Sequence, residues 1–293
     1  MRFVRFALKS GNIDQARIGA LSKDSSQILP LDALCRSGDL LDLIGREAEA
    51  EALAATVTPI AAADATLLAP IPRPARNIFC VGKNYHAHAA EFHRSGFDAS
   101  AGQSATPDFP IIFTKASNTV TGPGCEIPSW LDDSQSTDYE GELAVIIGKG
   151  GRGISKENAM DHVWGYTVAN DVTARTLQKD HRQWFIGKSI DAFCPMGPCI
   201  STVSEIADLN TMRLTTHVNG EKRQDAVIAD LIFDIPTLIE TLSKRLTLEP
   251  GDIILTGTPE GVGIGMTPPV YLAKGDVVSV EISGIGLLEN TVA

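Results

Sequence analysis

The chain has 293 residues, 43% of them hydrophobic and 21% charged, which is enough to bury one large core or one core with a small appendage. Its 36 acids against 25 lysines and arginines give a net charge of −11, which argues against sequence-independent nucleic-acid binding, since that needs a basic surface. Five scattered cysteines (Cys35, Cys80, Cys125, Cys194, Cys199) form no CxxC pair, excluding a disulfide framework or a cysteine zinc site and favouring a reducing, cytoplasmic setting.

The opening "MRFVRFALKSG" alternates too strongly and carries too much charge for a signal peptide, and reads as a first strand. No apolar run reaches the ~18 residues of a membrane span. "LLDLIGREAEAEALAA" has the composition of a helix. The alternating Pro70, Pro72 and Pro74 favour an extended connector. These features suggest a small α+β domain over residues 1–70 and a catalytic domain over 75–293.

Strand-like segments then follow one another: "NIFCVG", "PIIFTK", "ELAVIIG", "VWGYTVAND", "RLTTHVNG", "DIILTG" and "VVSVEISGIG". Two helices are expected among them. One starts near "SKENAMDHV" with Ser155 as N-cap. The other is "DIPTLIETLSKRL", with Asp234 as cap, Pro236 in the first turn, and Leu238, Ile239, Leu242 and Leu246 along one face. Residues 93–110 read as a long loop. Strands do not alternate regularly with helices, so the expected fold is α+β and strand-dominated, a mixed β-roll rather than a doubly wound sheet.

"STDYEGELAVIIGKG" leads a buried strand in with three acids. Glu140 and Glu142 share a strand face, and Asp138 joins them if extension starts early. Gly141 leaves the opposite face bare, for close approach of another backbone. A solvated strand end would explain two glutamates. A third acid from "GYTVANDVTAR", Asp171 at a strand terminus, would instead complete an all-oxygen site suited to Mg²⁺ or Mn²⁺.

In "VGKNYHAHAAEF" a helix puts His88 and Glu91 at i, i+3, where a carboxylate can orient an imidazole base. A strand would instead turn His86 and His88 to one side as zinc ligands. The alanine content favours the helix. Lys188, between Phe185, Ile186, Gly187 and Ile190, is a candidate to reach into a site; Lys115 is weighed beside it. The glycine-rich "ILTGTPEGVGIG" lacks a Walker ending but can present backbone N–H groups to a carboxylate.

Together, "VGKNYHAHAAE", "IIFTKASNTVTGPG", "DYEGELAVIIGK", "GYTVANDVTAR", "GKSIDAFCPMGP", "VNGE" and "DIILTGTPEGVG" resemble the fumarylacetoacetate hydrolase family over residues 75–293. The resemblance implies a mixed β-roll, commonly in a homodimer, with Mg²⁺ or Mn²⁺ on Glu140, Glu142 and Asp171. It implies a His88–Glu91 dyad on a lid, and substrate contacts from Lys188, Arg175, Gln178 and Thr258. Lys83 stands where some relatives carry Arg, keeping the charge without the bidentate geometry. The expected reaction is metal-dependent hydrolysis of a C–C bond in a small 2-oxo acid of the 2,4-dioxo type, giving pyruvate and a carboxylic acid. An isomerase of 2-hydroxy-diene-dioates or an oxaloacetate decarboxylase uses the same chemistry. A catalytically silent scaffold would have lost one of these side chains.

Overall fold

The computed structural model describes residues 1–12, 15–96 and 105–293. Its frame is a mixed sheet whose central strand is Gly141–Ile147, every residue of it buried. Antiparallel neighbours Val163–Asn170 and Ile253–Leu255 flank that strand. Ile78–Gly82 then adds in parallel to Ile253–Leu255, and Ile111–Lys115 pairs antiparallel beyond it. On the other side Val163–Asn170 pairs with Cys194–Thr202, which pairs in turn with Arg2–Leu8. The strands of the first 70 residues thus continue the same sheet.

A second, five-stranded sheet contains Arg213–Val218, Glu221–Val227, Val277–Ile282 and Gly286–Val292. Its first hairpin turns at Asn219 and Gly220, both with φ near +50° to +80° (53° and 79°), as a two-residue hairpin loop requires.

Alternation along the central strand explains why both faces are covered. Leu143, Val145 and Ile147 pack with Leu214, Val280, Ile282 and Leu288 of the second sheet. Ala144 and Ile146 face the other way, into a cluster with Phe3, Leu40, Leu43, Ala50 and Trp164. At about 1.5–3 kcal/mol for each fully buried large aliphatic side chain, this two-sided burial holds the central strand firmly. Among the described residues no helix is long and apolar enough to cross a membrane.

Some expected elements differ. The helix over "LLDLIGREAEAEALAA" is broken at Gly45 (φ +73°) into a 3₁₀ turn, Leu40–Leu43, and an α-helix, Glu47–Ala54. The segment after Ser155 is a 3₁₀ helix, Lys156–His162, and the serine hydroxyl does not cap it. Asp234 does cap Ile235–Ser243, accepting the Thr237 N–H at 2.9 Å, while Leu246 packs beyond the helix end. His93 and Arg94, placed in a loop by their sequence, close the helix His86–Arg94; residues 97–104 of that loop lie outside the described residues.

Candidate active site

The strand period places Glu140 at the mouth of the central strand and Glu142 two residues on. The neighbouring strand ends at Asn170, so that Asp171 emerges beside them. Backbone bonds fix this register. The Asp171 N–H donates to the Glu140 carbonyl at 2.8 Å, and the Glu140 N–H donates to Asn170 Oδ1 at 2.9 Å. One carboxylate oxygen from each of Glu140, Glu142 and Asp171 lies within 4.8 Å of the others, and all three residues are buried.

Asp138 does not join them. Its carboxylate turns to the Arg175 guanidinium (2.8 Å) and takes the N–H groups of Gly263 (2.8 Å) and Ile264 (3.0 Å). Extension breaks at Tyr139, whose own N–H Asp138 also accepts. Gly141 is tight as expected, but against side chains rather than backbone. A Cβ there would lie 2.4 Å from Thr216 Oγ1 and 2.9 Å from Val280 Cγ1.

Buried cations surround the acids. Lys188 Nζ is 2.7 Å from both Glu140 Oε2 and Asp171 Oδ2, and Arg175 Nη1 is 2.6 Å from Glu140 Oε1. Burial works to raise the Glu140 carboxyl, but Lys188 and Arg175 outweigh it and hold it down at about 2. Lys115 donates to the Val172 carbonyl and stands 2.7 Å from Asp171 Oδ1, but off the hydrogen-bond direction, so this buried oxygen makes no hydrogen bond.

Glu142 has no ion pair among the described residues; its carboxylate accepts the Gly257 N–H at 2.7 Å. Burial, then the charges of Asp171 and Glu140, push its carboxyl well above the ordinary range. Three converging buried carboxylates, of which Glu142 has no ion pair among the described residues, fit a divalent cation with hard oxygen preference. Glu140, Glu142 and Asp171 would hold it.

The segment after Gly82 turns at Lys83 (φ +54°) into the helix His86–Arg94. Asn84, which sequence reasoning passed over, pins that turn. Its amide donates to the carbonyls of Phe233 (3.0 Å) and Thr256 (2.8 Å) and accepts the Phe233 N–H (2.8 Å). On the helix His88 is buried and its Nδ1 lies 3.1 Å from Glu91 Oε2. His86, two residues away on a helix, is exposed, so the two histidines do not form a zinc pair.

The glycine-rich loop does present N–H groups to carboxylates, and these are the protein's own: Gly257 to Glu142, Gly261 to Glu91 (3.0 Å), Gly263 and Ile264 to Asp138.

His88, Glu140, Glu142, Arg175, Gln178, Lys188, Thr258 and Lys83 line one cavity together with Phe92, Phe113 and Trp184. Gln178 Oε1 accepts from Arg175 Nη1 at 3.3 Å, while Arg175 Nη2 is buried with no hydrogen-bond partner. Thr258 Oγ1 is engaged at 2.7 Å by Gln224 and donates to the Gly141 carbonyl at 2.9 Å. Lys83 Nζ stands 5.6 Å from the Phe92 ring centroid.

Known proteins resemble this chain in sequence and fold. Residues 77–293 match the family model described as fumarylacetoacetate (FAA) hydrolase C-terminal. An oxaloacetate tautomerase, YisK of Bacillus subtilis (strain 168), is 52% identical over 226 residues, covering 77% of this chain and 72% of its own. A fumarylacetoacetate hydrolase from psychrophilic Exiguobacterium antarcticum superposes with a TM-score of 0.85 at 41% identity, covering 100% of this chain and 99% of its own. A maleylpyruvate hydrolase from Sphingobium sp. SYK-6, solved with manganese(II) and pyruvate, gives 0.78 at 30% identity over 100% and 99% of the two chains. A strand-dominated α+β fold with three clustered acids, matched over three quarters of its length, makes this chain a member of the fumarylacetoacetate hydrolase family.

Proposed function

We propose that the protein is a divalent-metal enzyme that moves a proton on the carbon next to the ketone of a small 2-oxo acid, a keto–enol tautomerase of the oxaloacetate kind. The observation that carries this reading is a buried His88 that is paired with Glu91 and lines one cavity with Glu140 and Glu142, two of the three converging acids. Hydrolysis of a 2,4-dioxo acid asks more of the site. It needs an attacking water, the distal carbonyl and the leaving acyl group together, whereas tautomerisation needs one base facing one carbon. The oxaloacetate tautomerase relative supports the same choice.

Glu140, Glu142 and Asp171 are assigned as ligands of Mg²⁺ or Mn²⁺, which when bound supplies a Lewis acid to the oxygens of the 2-oxo acid. Glu91 accepts the Nδ1 proton of His88, leaving Nε2 with a lone pair to act as base. The C3 proton passes to Nε2, the C–H electron pair becomes the C2–C3 double bond as the C2=O π pair moves onto oxygen, and the ring returns a proton to that oxygen. Lys188 and Arg175 offset negative charge as it gathers there. C–C hydrolysis to pyruvate is the second reading, favoured by the likeness to a maleylpyruvate hydrolase.

The test is the interconversion of enol and keto oxaloacetate, followed by absorbance with Mg²⁺ or Mn²⁺. Acceleration beyond the metal alone, lost in His88→Ala, is expected. No acceleration, with pyruvate released from an acylpyruvate, would replace this reading by the second.

A further inference from the structure

The indole of Trp184 lines the cavity, although nothing in its sequence context singles it out. Arg182 (φ +53°) and Trp184 (φ +63°) both adopt left-handed backbone, which for a bulky residue persists only where the surroundings enforce it. Those surroundings are visible. A Cβ on Gly82 would lie 2.6 Å from Trp184 Cζ3 and 3.0 Å from Cη2, so the indole rests where only glycine leaves space. Its edges meet Phe92 (centroids 6.0 Å apart, 74°) and Phe113 (5.2 Å, 73°).

From Trp184 the chain enters the short helix Phe185–Lys188, and the Lys188 N–H donates to the Trp184 carbonyl at 3.0 Å. The Lys188 ammonium touches Glu140 and Asp171 and stands 5.0 Å from the Phe113 ring centroid. The aromatic wall therefore begins one lysine head-group away from the acids. Trp184 and Phe113 are only half-buried, so this wall runs from the acids out to the edge of the site.

We propose that Trp184 sets substrate length. With Phe92 and Phe113 it stops the distal end of the site, so that the protein accepts short 2-oxo acids and rejects those with a bulky acyl group beyond C4. This rests on the reading that a 2-oxo acid binds at Glu140, Glu142 and Asp171.

Calorimetric titration of the Mn²⁺-loaded wild type, Trp184→Ala and Trp184→Phe tests it. The probes are oxalate, which presents only a short chelating core, and 4-phenyl-2,4-dioxobutanoate, which carries a ring beyond C4. Wild type is expected to bind oxalate and to bind the phenyl acid far more weakly. Trp184→Ala should tighten the phenyl acid by at least about tenfold, the scale of a pocket wall that excludes one or more methylenes, while oxalate changes by less than about threefold. Trp184→Phe should fall between them. Retained oxalate affinity also reports that the variant is folded. Equal affinity of wild type for both probes, or an unchanged ratio in Trp184→Ala, overturns the role of Trp184 and leaves the 2-oxo acid reading intact. Failure of Mn²⁺-loaded wild type to bind oxalate overturns both.

Discussion

Gly265 offers a way to dislodge the base without touching it. A Cβ there would lie 2.0 Å from Glu91 Oε1, 2.2 Å from Cδ and 2.5 Å from Cγ. Gly265 is not among the positive-φ residues, so alanine suits its backbone and the nearest conflict is with the Glu91 side chain. To regain ordinary carbon contact the carboxylate must retreat by about 1.4 Å or more. Both its bonds are then lost: 3.1 Å to His88 Nδ1 and 3.0 Å from the Gly261 N–H leave no such margin. Misplacing a positioned catalytic group by about 1 Å costs roughly a hundredfold in rate. Gly265→Ala is therefore expected to lower kcat of oxaloacetate tautomerisation about a hundredfold, or about 2.7 kcal/mol in barrier. KM and Mn²⁺ affinity should change little, because the three acids stand on other elements. A second arm guards against a purely structural effect. In a Glu91→Ala background, adding Gly265→Ala should cost nothing further, since both act on one contact. Losses that multiply, or a Gly265→Ala enzyme within twofold of wild type, would refute this reasoning.

Asp138→Asn should destabilise the fold more than Gly265→Ala does, by about 3 kcal/mol in urea unfolding, because it removes one of the two carboxylates paired with the buried Arg175 guanidinium. Addition of Mn²⁺ should raise the melting temperature of wild type, with about 2.7 kcal/mol expected at a hundredfold excess over Kd, and Asp171→Asn should abolish most of that response. In metal-free protein the raised Glu142 carboxyl keeps its proton in the folded state longer than in the unfolded chain. Its stabilisation is whole below the ordinary value of 4.5 and is lost as pH rises through the raised value, so melting temperature should fall over that interval and Mn²⁺ should suppress the fall. Glu140 works in the opposite direction: its stabilisation, present above 4.5, disappears as pH drops toward about 2, and acid unfolding of Glu140→Gln should lack that component.

The acids were legible because strand period is a strong constraint: once "ELAVIIG" is a strand, Glu140 and Glu142 share a side. The helix under His88 and Glu91 followed from its alanines, and the meeting of Asp171 with the glutamates rested on Asn170-Asp171 ending an apolar run. What stayed hidden has physical causes. Cys194–Thr202, the strand that joins the first residues to the centre, carries Pro195 and Pro198, and proline argues against a central strand. The fate of Asp138 depended on where extension breaks, one residue from where alternation suggested. The glycine loop signalled anion binding without saying whose carboxylates it holds. Asn84 and Trp184 act through distant partners, Phe233 and Thr256 for one and Gly82, Phe92 and Phe113 for the other, and no local pattern marks such contacts.

The acids stand on paired strands in the middle of a doubly covered sheet, while the histidine rides a helix reached through the left-handed turn at Lys83 and the tryptophan rides a neighbouring bend. The immovable half of the chemistry is thereby separated from the half that can be exchanged. Under the proposed reading, reshaping these two excursions alters the reaction while leaving the three acids in place, since neither excursion carries one of them.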